Sequence, residues 1–153
     1  YYEMQYLGFN YRITDFQAAL GISQLKKIDK FIKRRRRIAS LYDEAFKRNP
    51  YFDIPKEKPS ARSAYHLYPI RLRDNRKAER KEIFAALKNS GLHVQVHYIP
   101  IYFQPYYQHL GFKKGTCLVA EDYYKRAISI PIYPRMLNKD LNYVIKVIRE
   151  IVK

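Results

Sequence analysis

Apolar residues recur at alternating steps of three and four through Ala18, Gly21, Leu25, Ile28, Ile32, Ala39, Tyr42 and Phe46, the spacing that keeps side chains on one face of a helix. Arg35 falls in the same series and is its one charged member. Thr14 followed by Gln17 spells a capping box, so the helix is predicted to start near Asp15 and to run toward Lys47. Unbroken, it would be about 50 Å long at a rise of about 1.5 Å per residue. Gly21 is a point where it could kink or pack closely, and Pro50, Pro55 and Pro59 end it, because proline cannot continue a helix.

Period-two patterning follows. Within residues 64–72, Tyr68, Ile70 and Leu72 alternate as in a half-buried strand, and Pro69 places that strand at an edge or at a bulge. Residues 75–91 predict a helix with Ile83, Phe84 and Leu87 inward and Gly91 as its left-handed stop. Residues 92–100 alternate again, with Leu92, Val94 and Val96 on one face and His93, Gln95 and His97 on the other. A helix over residues 116–127, a short strand in residues 128–133 and a helix over residues 138–152 complete the chain. The order α-β-α-β-α-β-α predicts an α+β fold, a small three-stranded sheet covered by helices plus a long N-terminal helix.

Composition sets bounds on this picture. The 153 residues suffice for one core that buries roughly two thirds of the unfolded surface. No apolar run approaches the roughly 20 residues of a membrane span, so a soluble protein is expected. The chain starts at Tyr1 and reads as a piece of something longer. The lone Cys117 cannot form an internal disulfide, no CxxC or Cys/His cluster suggests a metal, and a reducing cytoplasm is the expected setting. The net charge of +16 favours polyanionic partners at long range. Its densest run, Lys33 to Arg37, lies inside the helical periodicity, where a solvated or partner-facing helix surface is favoured over nucleic-acid binding.

Motif chemistry narrows the choices. No GxSxG supports a hydrolytic triad, and there is no Walker A or GxGxxG loop. What remains is Asn10 and Arg12 just ahead of a helix N-terminus, and His97, Tyr98 and Tyr102 just after a predicted strand. An amide, a guanidinium and a helix start all present donors, which suits a phosphate or carboxylate. The plainer alternative has Asn10 holding a turn and Arg12 making a surface ion pair. His97 is equally readable as a hydrogen-bonded histidine or a ligand contact, and most tyrosines pack instead of reacting.

These residues carry a resemblance. "LGFNYRITDFQAALGISQLKKID", "HLYPIRL", "HVQVHYIPIYFQPYY" and "AEDYYKRAISIPIYP", followed by an amphipathic helix, resemble in this order the C-terminal part of the DegT/DnrJ/EryC1/StrS family of sugar aminotransferases. The Gly-x-Asn-x-Arg lead into a helix and the Ser-Ile-Pro-x-x-Pro strand end are the specific points. The wording looks closest to enzymes that aminate C4 of a UDP-linked 4-keto-6-deoxy-N-acetylhexosamine. The resemblance implies the C-terminal small domain of a fold type I, pyridoxal-phosphate-dependent homodimer whose active site is shared between subunits. Such an enzyme moves an amino group from glutamate to a UDP-linked keto-sugar, in surface-polysaccharide, coat or flagellin-sugar biosynthesis. It further implies cofactor binding by Asn10 and Arg12, with Asn10 reaching the phosphate held mainly by the other subunit. Arg12, His97 and Tyr98 are implied in substrate binding. The Schiff-base lysine belongs to a large domain that this sequence lacks, so no catalytic residue and no metal site is expected in it, and the chain alone is expected to be inactive. A basic nucleic-acid-binding module and a non-catalytic dimerisation domain are the rival classes.

Overall fold

The computed structural model describes residues 3–9, 11–74 and 78–153. Its first helix, α1 (Asp15–Leu25), starts where the capping box predicts: the Thr14 hydroxyl accepts the Gln17 N–H at 3.3 Å, and Gln17 Oε1 accepts the Thr14 N–H at 2.9 Å. The predicted long helix is in fact two. After α1 the turn tightens, with the Lys27 N–H bonding the Gln24 carbonyl three residues back, and α2 (Ile28–Phe46) sets off anew. Gly21 sits inside regular helix, and a Cβ there would meet nothing within 4 Å, so it is neither a kink nor a packing point in this chain. The break divides the apolar stripe. Ala39, Tyr42 and Phe46, joined by Ile38, are buried, whereas α1 buries none of its residues.

The sheet has three antiparallel strands in the order β1 (Phe52–Asp53), β2 (Tyr68–Leu72), β3 (Ala127–Ile130). The α+β class and the strand count agree with the sequence pattern, but the third strand is the two-residue β1 and not residues 92–100. In that segment the Val94 N–H turns back to the Leu92 carbonyl, and a single bridge, Gln95 to Ser129, joins it to the outer edge of β3.

Pro69 is a second departure, for it lies in the central strand. In the register it faces Ser129, whose own N–H and carbonyl point away from β2 toward Gln95. The backbone groups of Pro69 therefore point toward β1, which has already ended; the position in register there is Pro55. No donor is missing, and the proline is tolerated.

The core lies on the face of the sheet that carries Tyr68, Ile70, Leu72, Ile128 and Ile130. Against it pack α2, α3 (Arg80–Asn89) through Ile83 and Leu87, and α6 (Asn138–Ile151) through Leu141, Val144 and Ile148. Phe84 is only partly buried at its margin. Gly91 takes φ +76°, the left-handed conformation expected after α3. Two phenols inside the core are satisfied: Tyr42 donates to the Pro131 carbonyl at 2.7 Å and Tyr68 to Asp43 Oδ1 at 2.6 Å. Burial pushes both well above the ordinary tyrosine range. On the opposite face lies α5 (Leu118–Arg126), against β2, and the short α4 (Pro105–His109) precedes it in the chain.

The basic run is a solvated surface only in part: Lys33 and Arg37 are exposed, whereas Arg34, Arg35 and Arg36 are half-buried. Arg34 donates to the Met136 carbonyl and to Asn138 Oδ1. Arg35 reaches the carbonyls of Tyr65, His66 and Ile132 at 3.1, 3.0 and 3.0 Å, and Arg36 binds Glu57 through both guanidinium nitrogens at 2.7 and 2.9 Å. Helical phase spreads the three side chains over two loops, residues 54–67 and 131–137, where they serve backbone carbonyls.

The Glu57 carboxylate, held by Arg36 and then by the Ser63 N–H, is drawn down from 4.5 to about 2. A depressed carboxylate stabilises the fold fully above its unfolded value and loses that contribution as pH falls through the folded one. Wild type should therefore exceed Glu57→Gln in urea midpoint at neutral pH, with the gap closing between pH 4.5 and about 2. A gap that persists to the acid end would contradict the pairing.

Candidate functional site

The segment that follows residue 92 is fixed by Ser129. Its N–H donates to the Gln95 carbonyl at 2.8 Å and its carbonyl accepts the Gln95 N–H at 3.1 Å. Strand alternation turns the Ser129 side chain away from the core face that carries Ile128 and Ile130. There its hydroxyl lies 2.9 Å from His97 Nδ1. His97 is half-buried, and the Tyr98 ring stands edge-on to it with centroids 4.6 Å apart. The peptide bond joining them is cis. Tyr98 itself is 71% exposed, so one held imidazole and one open phenol share a single surface turn.

Tyr102 has a different role from its neighbours. It sits in a short 3-10 turn (Ile101–Phe103) and is buried; its hydroxyl accepts the Cys117 N–H at 3.2 Å and has the Cys117 carbonyl at 3.0 Å and Glu121 Oε1 at 3.1 Å as acceptors. Burial, and then the bond to Glu121, raise the phenol above its ordinary value. Glu121, buried on α5, also takes the Gly115 N–H at 2.6 Å. This network ties the turn after His97 and Tyr98 to the start of α5. Nothing in the local sequence announces it, since its partners are brought together across 15 and 19 residues.

The N-terminal group lies on another element. Asn10 falls outside the described residues. Arg12 is exposed on the extended lead into α1, two residues before the Thr14 cap. Thr14 and Gln17 serve each other, while the first N–H groups of α1 have no intrahelical partner. A guanidinium beside such a helix start fits a phosphate. The same stretch exposes apolar side chains in close succession, among them Leu7 at 93%, Phe9 at 85% and Phe16 at 82%. Among the described residues no lysine is buried, and no group of three His, Cys, Asp or Glu could hold a metal ion. Among the described residues no helix is long and apolar enough to cross a membrane.

Comparison with known proteins gives a consistent result. The model of the DegT/DnrJ/EryC1/StrS aminotransferase family matches residues 1–149. The spore coat polysaccharide biosynthesis protein SpsC of Bacillus subtilis is 41% identical over 157 residues, covering 100% of this chain and 40% of SpsC. The UDP-4-amino-4,6-dideoxy-N-acetyl-beta-L-altrosamine transaminase of Campylobacter jejuni is 41% identical over 142 residues, covering 93% of this chain and 38% of that enzyme. Among solved structures, Helicobacter pylori PseC, an aminotransferase involved in the biosynthesis of pseudoaminic acid, superposes with a TM-score of 0.87 at 34% identity, over 97% of this chain and 40% of PseC. The family is pyridoxal-phosphate-dependent, and solved relatives of this fold include PLP forms. The chain spans about 40% of the length of the relatives it matches.

Proposed function

Because this chain belongs to the DegT/DnrJ/EryC1/StrS aminotransferase family, we propose that it is the C-terminal small domain of a sugar aminotransferase. The whole protein moves an amino group from glutamate to a UDP-linked keto-sugar, for a surface polysaccharide, a coat or a flagellin sugar, in the cytoplasm. The observation that carries this reading is the family match along residues 1–149. Bound pyridoxal phosphate supplies the electron sink for the transfer. What this chain contributes is binding. Asn10 and Arg12 hold the cofactor phosphate from the partner side of a homodimer, where guanidinium, amide and helix start all offer donors. Arg12, His97 and Tyr98 take the sugar nucleotide, with the imidazole for an oxygen and the open phenol ring for stacking.

The large domain and the partner subunit cover the apolar side chains of the N-terminal stretch. No catalytic group is assigned here. The nucleic-acid alternative loses its main support, because Arg34, Arg35 and Arg36 are committed to carbonyls and to Glu57.

The test is direct. Full-length protein with pyridoxal phosphate, glutamate and a UDP-4-keto-6-deoxy-N-acetylhexosamine should form the amino sugar, read by mass spectrometry, and residues 1–153 alone should form none. Turnover by the 153-residue chain would sink the assignment of domains, and absence of product from the whole protein across UDP-keto-sugars would sink the substrate class.

A further inference from the structure

We propose that Ser129 is a positioning residue that fixes His97 as its Nε2–H tautomer, so that the imidazole offers an N–H donor to an acceptor oxygen of the sugar nucleotide. The proposal rests on the reading of His97 as a substrate contact. It starts from proton accounting at one hydrogen bond. The Ser129 residue is 5% exposed, and both of its backbone groups are spent on Gln95. Among the described residues His97 Nδ1, at 2.9 Å, is the one polar group within hydrogen-bond reach of its hydroxyl. A hydroxyl has one proton to give. Were Nδ1 protonated, that proton would be left buried without an acceptor, the costly arrangement for a polar group. The hydroxyl therefore donates, Nδ1 accepts, and the second ring nitrogen carries the hydrogen.

The surroundings make this a rigid presentation. Ser129 is held by β2 on one side, opposite Pro69, and by Gln95 on the other, and the Tyr98 ring stands edge-on to the imidazole. The same burial argues against a nucleophilic serine, since the hydroxyl has no open approach. An outward N–H favours a hydroxyl, carbonyl or phosphate oxygen. A ligand that offers only donors is disfavoured.

The experiment uses full-length protein labelled with 15N-histidine, with the His97 signals assigned by their loss in His97→Gln. Long-range 1H–15N correlation on the neutral imidazole should show the Nε2–H pattern in wild type, a mixture of tautomers in Ser129→Ala and return to Nε2–H in Ser129→Thr. Steady-state kinetics should show KM for the sugar nucleotide raised about five- to tenfold in Ser129→Ala, with kcat and the KM for glutamate nearly unchanged, the mark of a lost binding contact. Ser129→Thr should recover it. A dominant Nδ1–H form in wild type, which needs no variant to fold, overturns the proposal. So does a His97→Ala variant that raises the sugar-nucleotide KM while Ser129→Ala does not. If His97→Ala itself leaves that KM unchanged, the placement of His97 at the substrate falls, and the proposed role of the tautomer in binding falls with it.

Discussion

Replacing Arg35 with alanine should lower the stability of the chain by about 3 kcal/mol, and lysine should recover only a minor part of that loss. The guanidinium ties two loops to α2 at once, residues 54–67 through the carbonyls of Tyr65 and His66 and residues 131–137 through that of Ile132. Net worth is about 1.5–3 kcal/mol for a hydrogen bond to a charged group, reduced here because the side chain is only partly buried. Three bonds from one donor are not additive, which keeps the estimate well below their sum. One terminal nitrogen, Nη1, reaches all three carbonyls and is held there by the long planar guanidinium, a fixed placement that the shorter, more strongly hydrated lysine ammonium does not reproduce. Urea unfolding of Arg35→Ala, Arg35→Lys and the exposed neighbour Lys33→Ala would decide it. An Arg35→Ala midpoint no lower than that of Lys33→Ala would show that the three contacts carry no net stability.

Arg35 also marks the boundary of what could be read from the sequence. Its place as the one charged residue in an apolar series was visible there, but the three carbonyls it serves come from 30, 31 and 97 residues away. Features whose causes are local were legible. The Thr14 and Gln17 cap, the left-handed Gly91 and the α3 and α6 periodicities each depend on residues within a turn or two. Features whose causes are distant were not. Nothing between Ile22 and Ile28 is a helix breaker, so the interruption at Lys26 and Lys27 had no local signal. The strand β1 is two residues long between prolines, and Pro69 is acceptable in a central strand only because β1 stops short of it.

The site divides the same way. The alternation over residues 92–95 correctly separates buried Leu92 and Val94 from exposed His93 and Gln95, and it lapses at Val96 and His97, both half-buried. His97 and Tyr98 stand out in the sequence by their place after a predicted strand, and a substrate role for them is what the resemblance implies. Ser129, which holds the imidazole from 32 residues away, had no signal beyond being a serine in a strand. The run of arginines misled for a related reason: charge density is a property of the sequence, but whether a guanidinium faces water or a loop is a property of the fold.

The proposed sharing of the active site has the largest consequence for activity. Asn10→Ala with Arg12→Ala in the full-length protein should abolish nearly all turnover, because both phosphate donors of this chain are gone. So should removal of the lysine that carries the cofactor. If Asn10 and Arg12 serve the partner's cofactor, the two defective chains are complementary. In a hybrid dimer one site takes its lysine from the donor-deficient chain and its donors from the lysine-deficient chain, and is whole; the other site lacks both. Random pairing on co-expression makes about half the dimers hybrids, each with one whole site of two, so about a quarter of wild-type activity should return in a two-fold symmetric dimer. Contacts made within one chain predict otherwise. Each hybrid would then hold one site without its lysine and one without its donors, and the mixture would be as inactive as either parent. A flat result would move Asn10 and Arg12 back to the lead of their own helix, and the phosphate would need donors from elsewhere.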